Sequence, residues 1–173
     1  MRQEYRLRLD WRPFLLRPDA AEEGWPLPEA IRARMGSPDN PLTARARALG
    51  LTLVERAHIP NSRRAHECTE FARAHGRLDA FHAQVLERYW SKGDDLHEWP
   101  VLEAAAVAAG LDAAAMRREV AAGQWREVTQ AALDEATDVG VQAVPTFLVA
   151  DRFVIQGAQS ADVFRQAFAR LGR

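Results

Sequence analysis

The hydrophobic pattern of the chain begins with a short alternating segment. Apolar side chains occupy every second position of it: Tyr5, Leu7, Leu9 and Trp11. A period of two residues is typical of a strand with one buried face. The pattern therefore predicts a strand over Tyr5–Trp11, and Pro13 ends this strand or restricts it to the edge of a sheet.

The middle of the chain has helical periodicity, divided into segments by glycine residues. It follows a proline-rich loop between Pro18 and Pro41, in which one short helix is predicted over residues 29–35. The predicted helices of the middle region cover residues 42–49, 62–76, 78–91, 100–110, 112–122 and 124–138. We expect one helical subdomain over residues 62–138, with five buried side chains: Phe71, Phe81, Leu86, Leu102 and Val120.

The period changes near the end of the chain. Two apolar runs, Thr146–Val149 and Phe153–Ile155, are separated by Asp151-Arg152, which predicts a β-hairpin. Apolar residues at helical spacing then predict a last helix, Ala161–Leu171, with Ser160 as its cap. The predicted order of elements is strand, helical block, hairpin and helix.

Composition and charge limit the class of protein. The 173 residues are 47% hydrophobic, enough for a sizeable core in one domain, or in one domain with an insert. The 23 basic and 24 acidic side chains give a net charge of −1, which argues against a nucleic-acid-binding surface. No apolar run approaches the roughly 18 residues of a membrane helix, and no apolar segment of a signal peptide follows Met1. We therefore expect a soluble, cytoplasmic protein.

The chain has one cysteine, Cys68. This count excludes an intramolecular disulfide, a Cys-x-x-Cys redox pair and a zinc site made of cysteines within these residues. Cys68 shares a helical stripe of small side chains with Ala65, Thr69 and Ala72, which favours a buried structural cysteine; a reactive thiol is the alternative. The histidines have no metal-ligand spacing, so no metal site is predicted. No catalytic residue is predicted either.

The segment before the hairpin is a candidate binding site. Pro145 directly precedes an apolar strand, and proline is poorly accommodated in the interior of a sheet. A cis bond between Val144 and Pro145 is one solution, and it would expose the backbone N–H and C=O groups of Val144 to a ligand. A trans proline at the start of an ordinary strand is the alternative.

Three segments of the chain carry a family resemblance. They are Trp11-Arg12-Pro13-Phe14-Leu15-Leu16-Arg17-Pro18, Asn61-Ser62-Arg63-Arg64-Ala65-His66, and Val144-Pro145-Thr146-Phe147 followed by a hairpin and Gly157-Ala158-Gln159. Together, and in this order, they resemble the DsbA family of thioredoxin-fold proteins, and the first two resemble its FrnE-like branch. The related 2-hydroxychromene-2-carboxylate isomerases and kappa-class glutathione transferases usually carry a Gly-x-Asp-Arg-like stretch after the hairpin, which this chain lacks.

The resemblance implies an α/β, thioredoxin-like fold with an all-helical insertion. The core would comprise residues 1–61 and 139–173, and the insert would comprise residues 62–138. In the family, a central strand and a helix that carries Cys-x-x-Cys come before the strand matched by Tyr5–Trp11, and this chain lacks their counterparts. A truncated product, a partner chain in the gap, or closure of the two flanking strands would explain this; an open central position argues for a homodimer.

The function implied by the resemblance is thiol–disulfide oxidoreduction on a protein or peptide substrate. Val144 and Pro145 would align the mixed disulfide, and Asn61 and His66 would contact the substrate; a simple capping and surface role is the alternative for Asn61 and His66. Without Cys-x-x-Cys, we expect the chain to be incomplete or inactive as an enzyme and to need no cofactor. The alternatives are a non-catalytic thioredoxin-fold binding module, and a relative of the glutathione-dependent isomerases and transferases, for which glutathione would be the cofactor.

Overall fold

The computed structural model describes residues 4–37 and 39–172, which form two compact units. One unit contains the residues up to Leu16 together with those from Ala131 onward. The other is a helical unit, Arg17–Gln130. The limits expected from the sequence, a core of residues 1–61 and 139–173 and an insert of residues 62–138, stay a prediction.

The helical unit follows the predicted order closely. Its helices are α1 (Glu29–Gly36), α2 (Pro41–Ala48), α3 (Arg63–Ala74), α4 (Leu78–Glu87), α5 (Trp99–Ala108) and α6 (Ala113–Ala121). A π-helical turn, Arg88–Lys92, continues α4. Two short strands, β1 (Trp25–Pro26) and β2 (His58–Ile59), pair antiparallel, and α7 (Arg126–Asp138) continues beyond the unit. The predicted cap is confirmed at α6, where the Asp112 side chain accepts a hydrogen bond from the Ala115 N–H at 2.9 Å.

The core of the helical unit combines large side chains with alanines. Four of the five side chains predicted to be buried are confirmed as buried: Phe71, Phe81, Leu102 and Val120. Ala65 and Ala72 on α3, with Ala105 and Ala106 on α5, belong to the same buried cluster. Such small side chains let helices approach closely, and the aromatic rings fill the space that remains.

The prediction that Leu86 is buried is wrong, because Leu86 is 40% exposed. Helix α4 buries Phe81 and Val85, which are four residues apart and therefore lie on one face. Leu86 is one residue further along the helix, a rotation of about 100° away from that face. Its apolar character alone did not indicate which face it occupies.

Cys68 lies inside this core, as the stripe of small residues predicted. Its side chain has no exposed surface. Burial raises the pKa of the Cys68 thiol to about 12, and the neighbouring Glu67 carboxylate raises it further than the Arg64 guanidinium lowers it. The thiol is therefore protonated at physiological pH and acts as a small apolar group.

The second unit contains the predicted hairpin and last helix. Strands β3 (Thr146–Val149) and β4 (Phe153–Gln156) pair antiparallel, and α8 (Ala161–Leu171) follows. The turn uses left-handed backbone at Ala150 and Asp151, one residue earlier than the predicted pair Asp151-Arg152. Ser160 precedes α8, but its side chain makes no capping hydrogen bond.

Aromatic side chains join the hairpin to α8. The Phe147 ring meets the Phe164 ring edge-on, with centroids 4.9 Å apart, and Phe164 lies 6.4 Å from Phe168. The Tyr5 ring packs on Phe168 at 4.8 Å. The N-terminal segment is therefore attached to this unit by an aromatic contact between side chains.

The predicted strand Tyr5–Trp11 is wrong, since no strand is formed in this segment. A β-strand needs a neighbour that completes its hydrogen-bond ladder. Within the described ranges, the sheets contain only the pairs β1–β2 and β3–β4, and neither includes this segment. The alternation persists only in part: Tyr5 and Leu7 are half-buried, whereas Leu9 is exposed.

A matched pair of leucines tests the core. Leu102→Ala removes a fully buried side chain, so we expect the free energy of unfolding to fall by about 2–5 kcal/mol. Leu86→Ala truncates the same type of side chain at a 40% exposed position, and its cost should stay below about 1 kcal/mol. Urea denaturation of both variants measures the difference, and equal costs would contradict this description of α4 and α5.

The burial of Cys68 predicts an unreactive thiol. In the native protein at pH 8, a thiol with a pKa of about 12 presents almost no thiolate, so Ellman's reagent should label it slowly or not at all. In guanidinium chloride the thiol should react at once, because its pKa returns to about 8.5. Rapid stoichiometric labelling of the native chain would refute the assignment.

The same shift gives a pH dependence of stability. Above about pH 9 the unfolded thiol loses its proton and the folded one retains it, so the folded state binds more protons. The contribution of Cys68 to the free energy of unfolding should therefore decrease as the pH rises from about 9 towards 12. Cys68→Ala should show a shallower decrease over this range in denaturant titrations.

Candidate functional site

The loop before β3 contains the first pair of predicted site residues. The peptide bond between Val144 and Pro145 is cis, and the Val144 side chain is 47% exposed. The Gly157 N–H donates to the Pro145 carbonyl oxygen at 2.8 Å, and the Thr146 hydroxyl donates to the Ala143 carbonyl oxygen at 2.6 Å. The loop is thus held on both sides of Val144.

The strand register determines which backbone groups are available. Bonded pairs alternate along an antiparallel ladder, and the Gly157–Pro145 bond places Phe147 and Val149 in the bonded pairs with β4. Thr146 and Leu148 therefore direct their N–H and C=O groups to the opposite edge of β3. No strand of the described residues pairs with that edge.

One face of the hairpin carries exposed apolar side chains. Leu148 is opposite Val154 in the register, and these side chains are 52% and 64% exposed. The neighbouring pair Phe147 and Ile155 points to the other face, where Phe147 contacts α8 and Ile155 is buried. The hairpin thus combines an open strand edge with an exposed apolar surface.

The Asn61 side chain makes three hydrogen bonds within the helical unit. Its side-chain amide donates to the carbonyl oxygens of Ala20 and Ala21, at 3.0 and 3.2 Å. Its side-chain oxygen accepts from the Arg63 N–H at 2.9 Å, which caps the start of α3. Ser62, predicted as the first residue of this helix, makes no capping bond with its side chain. A capping role was the alternative to substrate contact expected for Asn61, and the Asn61 side chain makes the capping bond.

His66 lies in the first turns of α3. Its Nε2 atom is 3.3 Å from the Ser62 hydroxyl oxygen, and the residue is half-buried. Arg64 on the same turn donates to the His97 carbonyl oxygen, pairs with Glu22 at 3.0 Å, and stacks 4.9 Å from the Trp99 ring centroid. The Arg64 side chain at the start of α3 is therefore held by an ion pair, a hydrogen bond and a ring contact, all within the helical unit.

The predicted site residues are divided between the two units. Asn61 and His66 belong to the helical unit, and Val144 and Pro145 belong to the other. The hydroxyl of Thr146, which fixes the Val144 loop, was not singled out in the sequence, because threonine is common in strands for reasons of packing alone.

Cys68 is the first side chain to consider as a reactive group. Cys68 is buried in the helical core and is protonated at neutral pH, since burial raises its pKa to about 12. Within residues 4–37 and 39–172, no group of three or more His, Cys, Asp or Glu side chains could hold a metal ion. None of the helices there is long and apolar enough to cross a membrane. The groups that the Val144 loop and the hairpin present are backbone N–H and C=O groups and apolar side chains.

Comparison with known proteins identifies the fold family. Residues 1–169 match the DSBA-like thioredoxin domain family. A crystal structure of a probable DsbA oxidoreductase from Streptomyces coelicolor superposes with a TM-score of 0.78 at 27% sequence identity, covering 92% of this chain and 73% of that one. No curated protein matches the sequence significantly.

These matches agree with the architecture described above. They confirm the expected α/β, thioredoxin-like fold with a helical insertion, and the resemblance to the DsbA family. The chain belongs to the DSBA-like thioredoxin domain family.

Proposed function

We propose that the protein acts in thiol–disulfide exchange by binding the substrate, with the attacking thiolate supplied from outside these 173 residues. Membership of the DsbA-like family, which includes thiol–disulfide oxidoreductases, supports the reaction class. The observation that carries the proposal is the burial of Cys68, whose thiol has no exposed surface. The proposed binding surface therefore needs a thiolate other than that of Cys68.

The chemistry explains this division of roles. In the exchange, a thiolate attacks one sulfur of a disulfide, forms a mixed disulfide and releases the other sulfur as a thiolate. A second thiol then attacks the mixed disulfide and frees the reduced substrate. Cys68 cannot start the reaction while it is protonated and buried, and the chain has no second cysteine to complete it.

The open edge of β3 offers a place for the substrate. An extended peptide can add a strand to an exposed sheet edge, where backbone hydrogen bonds provide affinity. The outward N–H and C=O groups of Thr146 and Leu148 are suited to this, and Val144 lies directly before them. Asn61 and His66, in the helical unit, stay predicted substrate contacts, and the Asn61 side chain is engaged in hydrogen bonds within that unit.

Several finer features of the proposal are expectations from the sequence. They are membership of the FrnE-like branch, a cytoplasmic location, a homodimeric state, and glutathione as a small thiol partner. Each would refine the substrate class, and the proposed binding of a protein or peptide substrate depends on none of them.

A non-catalytic binding module is the second candidate function, and the same burial of Cys68 favours it. The two candidates differ in the fate of a bound peptide. A substrate-binding part of an oxidoreductase should prefer peptides that contain a disulfide or thiol. A binding module should accept the same peptide equally well when serine replaces cysteine.

The reductase assay tests the role of Cys68. With dithiothreitol, the 173-residue chain should not accelerate insulin precipitation above the uncatalysed rate, because a thiol with a pKa of about 12 supplies no thiolate. Cys68→Ser should give the same rate as the unmodified chain. Turnover that disappears in Cys68→Ser would overturn the proposal and indicate a one-cysteine mechanism.

A pair of threonine variants tests the binding surface. Thr146→Val removes the hydroxyl that bonds to the Ala143 carbonyl oxygen, so the Val144 loop should lose its fixed geometry and bind a cysteine-containing peptide about fivefold more weakly. Thr146→Ser retains the hydroxyl and should bind like the unmodified chain. Fluorescence anisotropy of a labelled peptide measures both; equal affinities in the three proteins would contradict the proposed site.

A further inference from the structure

Helix α2 and the turn after it expose a group of leucine side chains around an arginine. Leu42, Arg45 and Leu49 are spaced by three and then four residues, so they lie along one face of the helix and its C-cap. Leu51 follows directly after the turn that ends the helix. Each of the three leucines is more than half exposed. We call these four residues the leucine–arginine surface.

The positive charge of the leucine–arginine surface has no counterpart nearby in the sequence. Residues 40–54 contain two arginines, Arg45 and Arg47, and no acidic residue. Both side chains are exposed, and neither forms an ion pair within the part of the chain that the structure describes. Apolar side chains that are grouped on one exposed face mark an interaction surface more often than apolar side chains that are scattered singly. The arginines indicate that the partner of this surface is acidic.

Helix α7 exposes acidic side chains. Glu127, Asp134 and Asp138 are spaced by seven and then four residues, and they therefore follow each other along one face of the helix. All three are exposed, and so is Val128, which is next to Glu127 in the sequence. Neither Glu127 nor Asp138 forms an ion pair within residues 4–37 and 39–172. We call these four residues the acidic surface.

The leucine–arginine surface and the acidic surface complement each other. One carries a guanidinium group and the other carries carboxylate groups, and both expose apolar side chains, as the two sides of a protein interface do. The net charge of the chain is only −1, so copies of it repel each other weakly. We propose that the partner of each surface is a second copy of this chain. The contact does not involve the open edge of β3, so it does not depend on the proposed function.

Analytical ultracentrifugation of the intact chain tests the association. The weight-average mass should rise with protein concentration, and raising sodium chloride from about 0.05 to about 0.5 M should weaken the association about tenfold, because salt screens exposed charges. A chain that stays monomeric up to about 1 mM, or that associates independently of salt, would overturn the proposal. A monomeric chain that sediments with phosphatidylglycerol vesicles would overturn it too, and would assign the leucine–arginine surface to an anionic membrane.

Charge reversal identifies the surfaces that meet. Arg45→Glu and Asp138→Arg should each weaken self-association at least about tenfold. An equimolar mixture of the two variants should associate nearly as the unmodified chain does, because every contact between unlike copies again joins opposite charges. Asp138 is in the last turn of α7, where an arginine suits the helix dipole, so the fold should be retained. A mixture that associates no better than either variant alone would refute the pairing of these surfaces.

A matched control separates this contact from a general effect of charge. Arg118 is exposed in the last turn of α6, as Arg45 is in the last turn of α2, so Arg118→Glu makes the same change of charge in the same setting. It should leave self-association unchanged, and a loss as large as that of Arg45→Glu would count against the proposal. Leu49→Ser removes an exposed apolar side chain without a change of charge and should weaken self-association about threefold or more. Unchanged association of Leu49→Ser would contradict the apolar part of the contact; circular dichroism checks that each variant is folded.

Discussion

Close packing between α3 and the helices that follow it is the constraint on which the helical unit depends. Alanines on α3 and α5 leave room for the Phe71 and Phe81 rings between the helices. The Phe71 ring meets Trp125 edge-on at 5.7 Å and stacks on His75 at 4.0 Å. In a core this dense, each side chain has one place and little freedom. The same packing that stabilises α3 therefore fixes the state of its cysteine.

This packing explains why the chain has the family fold although its cysteine is buried and protonated. Thiol–disulfide exchange needs a thiolate near solvent and near positive charge. The Cys68 sulfur has neither solvent contact nor a net favourable charge, since Glu67 opposes the nearby arginine. A family fold can thus be retained while the single thiol of the chain serves only to fill space. The proposed binding role then depends on backbone groups of the hairpin, whose positions the ladder and the Thr146 hydroxyl determine.

Local signals in the sequence were sufficient for most elements. Glycines separated the helices, Asp112 marked the start of α6, and two apolar runs indicated the hairpin. Predictions failed where tertiary neighbours decide the outcome. Tyr5–Trp11 has the alternation of a strand, but no strand within residues 4–37 and 39–172 pairs with it. Leu86 is apolar but lies off the buried face of α4. For the candidate site, motif resemblance indicated the Val144 loop, whereas the hydrogen bond from the Thr146 hydroxyl to the Ala143 carbonyl oxygen has no sequence signature.

The open edge of β3 also affects how the protein behaves at high concentration. Exposed strand edges next to apolar side chains can pair with other chains, and natural proteins usually protect them with charge, proline or a covering element. Here Leu148 and Val154 stand on an exposed face of the hairpin, and no charged residue occurs within β3 or β4. The hairpin is thus the segment from which intermolecular sheet aggregation would start, and a lysine in place of Val154 would improve solubility without disturbing the core.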